Sequence, residues 1–156
     1  MKLEKEIHQA KFKNPYQKLV VNLIYTGNWV NFSTNKLLKE YKLTPQQFNV
    51  LRILKGQYPK PAPIFTITER MLDKMSNASR LVEKLRQKGY VERTECGEDR
   101  RRVDVIITEE GIQKLDEISS IVAGFEEDIK INLTDEEAQT LNSLLDKMRG
   151  GEENER

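Results

Sequence analysis

Apolar residues recur at intervals of three to four along much of the chain, which is the pattern of helices that bury one face. The first such stripe predicts a helix over residues 15–39, with a bend at Gly27. Before it, residues 1–14 are polar and predict a loose arm or the first turns of a helix. Thr44-Pro45-Gln46-Gln47 has the sequence of a capping box and predicts a second helix, which ends at Gly56.

The central part of the chain has a different pattern. Three prolines within residues 58–63 exclude a helix there. Residues 64–67 are rich in β-formers and predict a short strand. The pattern then predicts, in order, a short helix from Thr66 or Thr68 to about Leu72, a turn at Asp73-Lys74, and a helix over residues 76–88.

A hairpin and two helices complete the predicted order. The strands cover residues 90–94 and 102–107, on either side of a turn at Gly97-Glu98-Asp99. Thr108 is placed to cap a helix over residues 108–131, and Thr134-Asp135-Glu136-Glu137 is a capping box for a last helix over residues 134–149.

This order of helix, β segment, helix, turn, helix and hairpin predicts a winged helix-turn-helix, mainly α with a small β-hairpin wing (α+β). We expect an N-terminal arm and dimerisation helix over residues 1–40 and a DNA-binding domain over residues 41–110. Dimerisation helices would occupy residues 111–150, before a disordered tail over residues 151–156.

The two C-terminal helices carry apolar stripes that one small winged helix cannot cover. Pairing with the first helix and with a second copy of the chain would cover them, so the sequence predicts a homodimer. Four residues are expected to hold it together: Ile118, Val122, Phe125 and Ile129.

The second helix of the predicted helix-turn-helix has one apolar and one polar face. Its polar face, with the preceding turn, supplies the candidate DNA contacts Lys74, Ser76, Asn77, Ser79, Arg80 and Lys84. Arginine pairs with guanine and asparagine with adenine, whereas serine and lysine suit phosphates. An ordinary amphipathic surface helix would show the same pattern, so this helix alone does not decide the function.

The predicted hairpin ends in a cluster of charge that favours DNA binding. Asp99, Arg100, Arg101 and Arg102 are consecutive there. Arginine enters a narrow minor groove readily, because the guanidinium is cheaply desolvated and the groove is electronegative. An adjacent aspartate can fix one guanidinium by a bidentate pair.

The net charge of +1 conceals an asymmetric distribution. Residues 1–102 hold 21 Lys and Arg against 10 Asp and Glu, whereas residues 103–156 hold 5 against 15. Such a division indicates that the first part of the chain faces a polyanion and the second part does not.

Composition excludes several other classes of protein. No apolar run approaches the length of a membrane span, and the first ten residues lack the core of a signal peptide, so we expect a cytoplasmic protein with no membrane partner. With one cysteine, Cys96, and one histidine, His8, neither a Cys/His zinc site nor a common nucleophile–base pair is available. The sequence predicts no enzyme activity and no cofactor.

Two stretches resemble the MarR family of transcriptional regulators. Residues 79–93 are similar to the recognition helix and first wing strand of that family, and residues 98–111 to its wing signature of Asp-Arg-Arg, a strand and a Thr-x-x-Gly helix start. Residues 43–51 resemble its second helix. The similarity covers roughly residues 15–149, and the wing signature is its most specific part.

The resemblance implies a homodimer that binds double-stranded DNA, usually as a repressor. A symmetric dimer should bind an inverted-repeat operator. By the family pattern, Asp99 orients Arg101 in the minor groove, and Ser76, Asn77, Ser79 and Arg80 meet the major groove. A dimeric winged-helix module that docks a protein instead of DNA is the alternative from another class.

A small aromatic or anionic effector is also implied by the resemblance. Five aromatic residues are candidates to line its pocket: Tyr16, Tyr25, Trp29, Phe32 and Phe48. An aromatic stripe at helical spacing is more often part of a core, and we favour that interpretation. Cys96, beside the wing arginines, suggests a redox-responsive regulator as a further alternative, although a thiol without a special role is favoured.

Overall fold

The computed structural model describes residues 2–95 and 103–150 of the 156-residue chain. The helices are α1 (Leu3–Glu6), α2 (Pro15–Lys39), α3 (Pro45–Lys55), α4 (Ile64–Arg70), α5 (Ala78–Gln87), α6 (Glu109–Lys130) and α7 (Asp135–Met148). The strands are β1 (Ala62–Pro63), β2 (Val91–Glu95) and β3 (Val103–Ile107), in one antiparallel sheet of order β1-β3-β2. The predicted fold class, mainly α with a small β-hairpin wing, is confirmed.

Local sequence signals explain where the helices begin. Both predicted capping boxes form: the Thr44 hydroxyl accepts from the backbone N–H of Gln47, and the Thr134 hydroxyl accepts from that of Glu137. The side chain at the third helical position returns a bond to the cap backbone in each case. These reciprocal bonds satisfy donors that a helix start otherwise leaves unpaired.

The chain forms two compact units, residues 1–118 and 119–156. In the first, α3, α4, α5 and the sheet enclose a core whose fully buried side chains include Leu51, Leu54, Ile67, Val82, Leu85 and Val105. Leu115 and Ile118 of α6 are also buried in this unit. The assignment of Ile118 to a dimer contact is therefore wrong: its side chain is only 1% exposed within a single chain.

The prediction of a strand over residues 64–67 is also wrong. The strand comes two residues earlier, where Ala62 and Pro63 pair with Val105 and Asp104 of β3, and α4 already begins at Ile64. Proline fixes φ in the extended range and suits both a strand and the residue before a helix. Burial of Ile67 within α4 outweighs the weak β preference of this segment.

The N-terminal residues contain a separate short helix. α1 ends at Glu6, and Leu3 is buried against the rest of the first unit. Ion pairing of Glu4 with Lys18 connects α1 to α2. Helix α2 runs through Gly27 without interruption, and a Cβ added at Gly27 would meet no other atom within 4 Å.

Candidate DNA-binding face

The turn between α4 and α5 is organised by Asp73. One carboxylate oxygen accepts from the backbone N–H of Met75 at 3.0 Å, and the other accepts from the Ser76 hydroxyl at 3.0 Å. The Met75 N–H, then Ser76 and Gln46, hold the pKa of Asp73 below its usual value. Asp73 was not among the predicted site residues, although an aspartate within a predicted turn is a signal for this geometry.

A second contact ties the turn to α3. The side-chain oxygen of Asn49 accepts from the backbone N–H of Leu72 at 3.0 Å. This bond fixes the start of the turn to the helix that packs behind it, which sets the position from which α5 begins. No sequence pattern pointed to Asn49, because the contact spans 23 residues along the chain.

Helix α5 has the two faces that its sequence predicts. Ala78, Val82 and Leu85 are buried, whereas Ser79, Arg80 and Lys84 are exposed on the other side. The exposed positions present a guanidinium, an ammonium and a hydroxyl group together. This combination can hydrogen-bond to base edges and neutralise phosphates.

Asn77, Ser76 and Lys74 have structural roles that the sequence did not predict. Asn77 is the N-cap of α5, and its side-chain oxygen accepts from the backbone N–H of Arg80 at 3.0 Å. Ser76 donates to Asp73, and Lys74 donates to the carbonyl oxygen of Glu69. These three residues shape the entry to α5, while Arg80 and Lys84 lie on its exposed face.

Replacing Asn77 with alanine should therefore lower the free energy of unfolding by about 1 kcal/mol, because the cap is removed. It should weaken binding to all DNA sequences alike, since the whole start of α5 loosens. Chemical unfolding and site selection measure the two effects, with Asn77→Asp as the control that keeps the capping oxygen. A changed base preference at unchanged stability would instead show that Asn77 reads a base directly.

Glu83 connects α5 to the first strand of the wing. Its carboxylate accepts two bonds from Arg86, at 2.9 and 3.0 Å, one from Gln87 at 3.2 Å, and one from Arg93 of β2 at 3.3 Å. The bond from Arg86 is the main cause that lowers the pKa of Glu83 to about 2. The ionised carboxylate therefore links α5 to β2 across the physiological pH range.

The base of the wing is held by Thr108 and Gly111. The Thr108 hydroxyl donates to the carbonyl oxygen of Gly89 at 2.7 Å and accepts from the N–H of Gly111 at 3.0 Å. The N–H of Thr108 donates to the carbonyl oxygen of Tyr90 at 3.1 Å. Through these bonds, the Thr-x-x-Gly start of α6 joins the end of β3 to the segment that precedes β2.

The predicted contacts at the wing tip, Asp99, Arg100, Arg101 and Arg102, lie outside the described residues, as does Cys96. The two strands that lead to this tip are in register from Val91 opposite Ile107 to Glu95 opposite Val103. The predicted hairpin is thus confirmed over its described length.

The five candidate pocket aromatics do not come together. Phe48 is buried in the core of the first unit, so the core interpretation holds for it. The other four, Tyr16, Tyr25, Trp29 and Phe32, are exposed in the single chain, and for them that interpretation is wrong. Tyr25 and Trp29 line one cleft, which has a volume of about 510 Å³ and is also lined by Leu3, Glu6, Asn22 and Thr26.

The described part of the chain lacks two other kinds of feature. Within residues 2–95 and 103–150, no helix is long and apolar enough to cross a membrane. The same residues contain no group of three or more His, Cys, Asp or Glu side chains placed to hold a metal ion.

Helices α4 and α5, the exposed basic face of α5 and the two-stranded wing define a winged helix-turn-helix fold, which many DNA-binding proteins use. The family model described as MarR family matches residues 41–102, which span the helix-turn-helix and reach into the wing. Over this segment, which is less than half of the chain, the protein is similar to the MarR family.

Similar proteins agree with this placement. The chain is 26% identical over 121 residues to the HTH-type transcriptional regulator PecS of Dickeya dadantii, covering 76% of this chain and 72% of that protein. It is 24% identical over 151 residues to the HTH-type transcriptional regulator PapX of Escherichia coli, covering 94% and 92%.

Solved structures share the fold. A MarR-like transcription regulator from Bacillus cereus superposes with a TM-score of 0.76 at 21% identity, covering 86% of this chain and 96% of that one. The MepR–DNA complex from S. aureus gives a TM-score of 0.76 at 20% identity, covering 88% and 98%.

Proposed function

We propose that this protein is a DNA-binding transcriptional regulator, and that it acts as a homodimeric repressor that binds an inverted-repeat operator and is released by a small-molecule effector. The observation that carries the proposal is the exposed face of Ser79, Arg80 and Lys84 on a helix that is capped, packed and tied to the wing. A dimer would present two such helices to successive major grooves, so the half-sites should lie about one helical turn apart. A structural relative was solved in complex with DNA.

Support for the dimer comes from apolar side chains that the single chain leaves exposed. On α2, Val20 and Ile24 are 54% and 61% exposed, and Leu19 lies beside them. On α7, no residue is buried, and Leu141, Leu144 and Met148 are exposed. Apolar surface repeated along whole helices is typical of an interface with another copy or a partner.

The residues of α6 that were predicted to hold the dimer are less exposed. Val122, Phe125 and Ile129 are half-buried in the second unit, and their predicted role at the dimer contact stays part of this proposal.

The distribution of charge agrees with this arrangement. The acidic residues after position 102 include the first turn of α7, where Asp135, Glu136 and Glu137 are exposed. In the proposed dimer, the DNA contacts come from α5 and the wing, and these carboxylates supply none of them. The basic residues of the first unit supply the attraction that steers the protein to DNA.

Selecting binding sites from random duplexes tests the DNA-reading part of the proposal. Arg80→Ala should change the preferred bases, because a bidentate pairing with a base is removed. It should also weaken binding to the selected site by about 1–3 kcal/mol. Lys84→Ala should weaken binding to all DNA sequences alike. It should also reduce the steepness of log affinity against log salt by about 0.9 for each phosphate that is no longer neutralised.

Two results would contradict this assignment. If Arg80→Ala selects the same sequence as the wild type, another surface reads the groove. If Lys84→Ala leaves the salt slope unchanged, its ammonium does not meet phosphate. Lys114→Ala, on α6, is the matched control and should bind like the wild type, since its ammonium pairs with Glu117 of the same helix.

The protein-interaction alternative would use the same winged domain without DNA. The exposed basic face of α5 favours the DNA-binding function, because a module that docks a protein has no need to keep phosphate-binding groups along that helix. In the proposed repressor, the wing arginines Arg100, Arg101 and Arg102 add minor-groove contacts, with Asp99 orienting Arg101.

A further inference from the structure

The cleft between α1 and α2 is formed by the N-terminal residues folding back on the first long helix. Leu3 is buried beneath it, and the Glu6 carboxylate accepts a hydrogen bond from the Tyr25 hydroxyl at 2.9 Å. Asn22, Thr26 and Trp29 complete its wall on α2. Its volume of about 510 Å³ is within the usual range for sites that hold drug-sized ligands.

This cleft lies on a different side of α2 from the apolar stripe proposed for the dimer. Asn22, Tyr25 and Trp29 are spaced at i, i+3 and i+7, so they share one face. Val20 and Ile24 are spaced at i and i+4 and share another, rotated well away from the first. A second copy packed on Val20 and Ile24 therefore does not need to occupy the cleft.

The charge of the cleft is negative. Glu6 is half-buried in its wall, and the other described lining residues are apolar, aromatic or neutral. The hydrogen bond to Glu6 raises the pKa of Tyr25, so the phenol remains neutral. Lys18, a cation of α2, is paired with Glu4 instead. An anion entering the cleft would meet a carboxylate without a compensating basic group among the described lining residues.

Two aromatic side chains also line the cleft. The rings of Tyr25 and Trp29 are 38% and 48% exposed, so they can contact a ligand. A cation within about 6 Å of an aromatic ring is attracted by the ring quadrupole, most strongly for tryptophan. We propose that this cleft binds a hydrophobic organic cation with aromatic groups, whose charge lies near Glu6 and whose apolar part lies against Trp29.

This inference deepens the effector part of the proposed function and rests on that function only for its consequence at DNA. The resemblance implied an aromatic or anionic effector. The cleft agrees with the aromatic part and disagrees with the anionic part, because its single ionised side chain is a carboxylate among the described lining residues. An experiment must therefore test whether the cleft prefers a positively or a negatively charged ligand.

Trp29 makes the test direct, because it is the sole tryptophan of the chain. Tetraphenylphosphonium and tetraphenylborate have nearly the same size and shape but opposite charges. Titration of the full-length protein with each should change Trp29 fluorescence, and tetraphenylphosphonium should bind at least about tenfold more tightly. Equal affinity, or tighter binding of the borate, would overturn the proposal.

Two matched variants locate the charge. Glu6→Gln keeps the shape of the side chain and an acceptor for Tyr25, and should weaken tetraphenylphosphonium binding about tenfold. Glu40→Gln removes an exposed carboxylate at the C-terminal end of α2 that does not line the cleft, and should leave the affinity within about twofold. Circular dichroism confirms that both remain folded. An unchanged affinity in Glu6→Gln, or an equal loss in Glu40→Gln, would also overturn the proposal.

A separate DNA-binding assay distinguishes this site from the repressor function. Tetraphenylphosphonium at a concentration that saturates the wild type but not Glu6→Gln should lower operator affinity in the wild type and much less in the variant. If the cation binds through Glu6 but operator affinity does not change, the cleft assignment stands and the effector-release part of the proposed function fails.

Discussion

Gly111→Ala should lower the free energy of unfolding by about 3 kcal/mol or more, because the new methyl group overlaps backbone atoms that cannot move away. A Cβ at this position would lie 2.1 Å from the carbonyl oxygen of Tyr90 and 2.9 Å from the side chain of Ile107. The same carbonyl accepts from the N–H of Thr108. The substitution therefore separates the start of α6 from the base of the wing, and operator binding should fall with stability.

Gly124→Ala is the matched control, since it lies on the same helix and its added Cβ meets no atom within 4 Å. Alanine there should raise the free energy of unfolding by about 0.5–1 kcal/mol through its greater helix propensity. Urea unfolding of both variants at one protein concentration measures the difference. A Gly111→Ala protein as stable as the wild type would contradict the close contact between α6 and Tyr90.

The double substitution Val20→Glu with Ile24→Glu should convert the dimer to folded monomers. Both side chains are more than half exposed in the single chain, so the charges do not enter its core. They would be buried without partners in an interface between two copies, which is strongly unfavourable. Operator affinity should then fall about 100-fold or more, because each half-site must be bound independently.

Sedimentation velocity measures the assembly, and circular dichroism confirms that the chain remains folded. The control is Val20→Ile with Ile24→Leu, which keeps the surface apolar and should remain dimeric with normal DNA binding. A dimer that survives both glutamates would show that α2 does not form the interface and would transfer that role to α7.

Local signals predicted the helices and the hairpin because caps, prolines and apolar periodicity act within a few residues. Thr44, Thr134 and Thr108 each cap the helix predicted for them. The error at residues 64–67 arose because the β preference of that segment was weighed without the tertiary contact between β1 and β3. A strand of two residues is decided by its partner and not by its own sequence.

The exposed face of α5 was predictable from the sequence, but the hydrogen bonds that hold this helix and the turn before it in place were not. Arg80 and Lys84 follow from helical spacing alone. The bonds from Leu72 to Asn49 and from Arg93 to Glu83 join residues 23 and 10 positions apart, and no local pattern identifies them. For the same reason the sequence grouped Phe48 with Tyr25 and Trp29, whereas the fold buries Phe48 and leaves the other two in a cleft with Glu6.

Sedimentation of the protein with its selected duplex, repeated over a range of salt concentrations, measures how many chains bind one duplex and how strongly binding depends on salt. We expect two 18.2 kDa chains on one duplex. If the dimer neutralises about six phosphates, log affinity should fall against log salt with a slope near −5. One chain bound tightly to one duplex, or a slope near zero, would contradict a dimeric regulator that reads DNA through α5 and the wing.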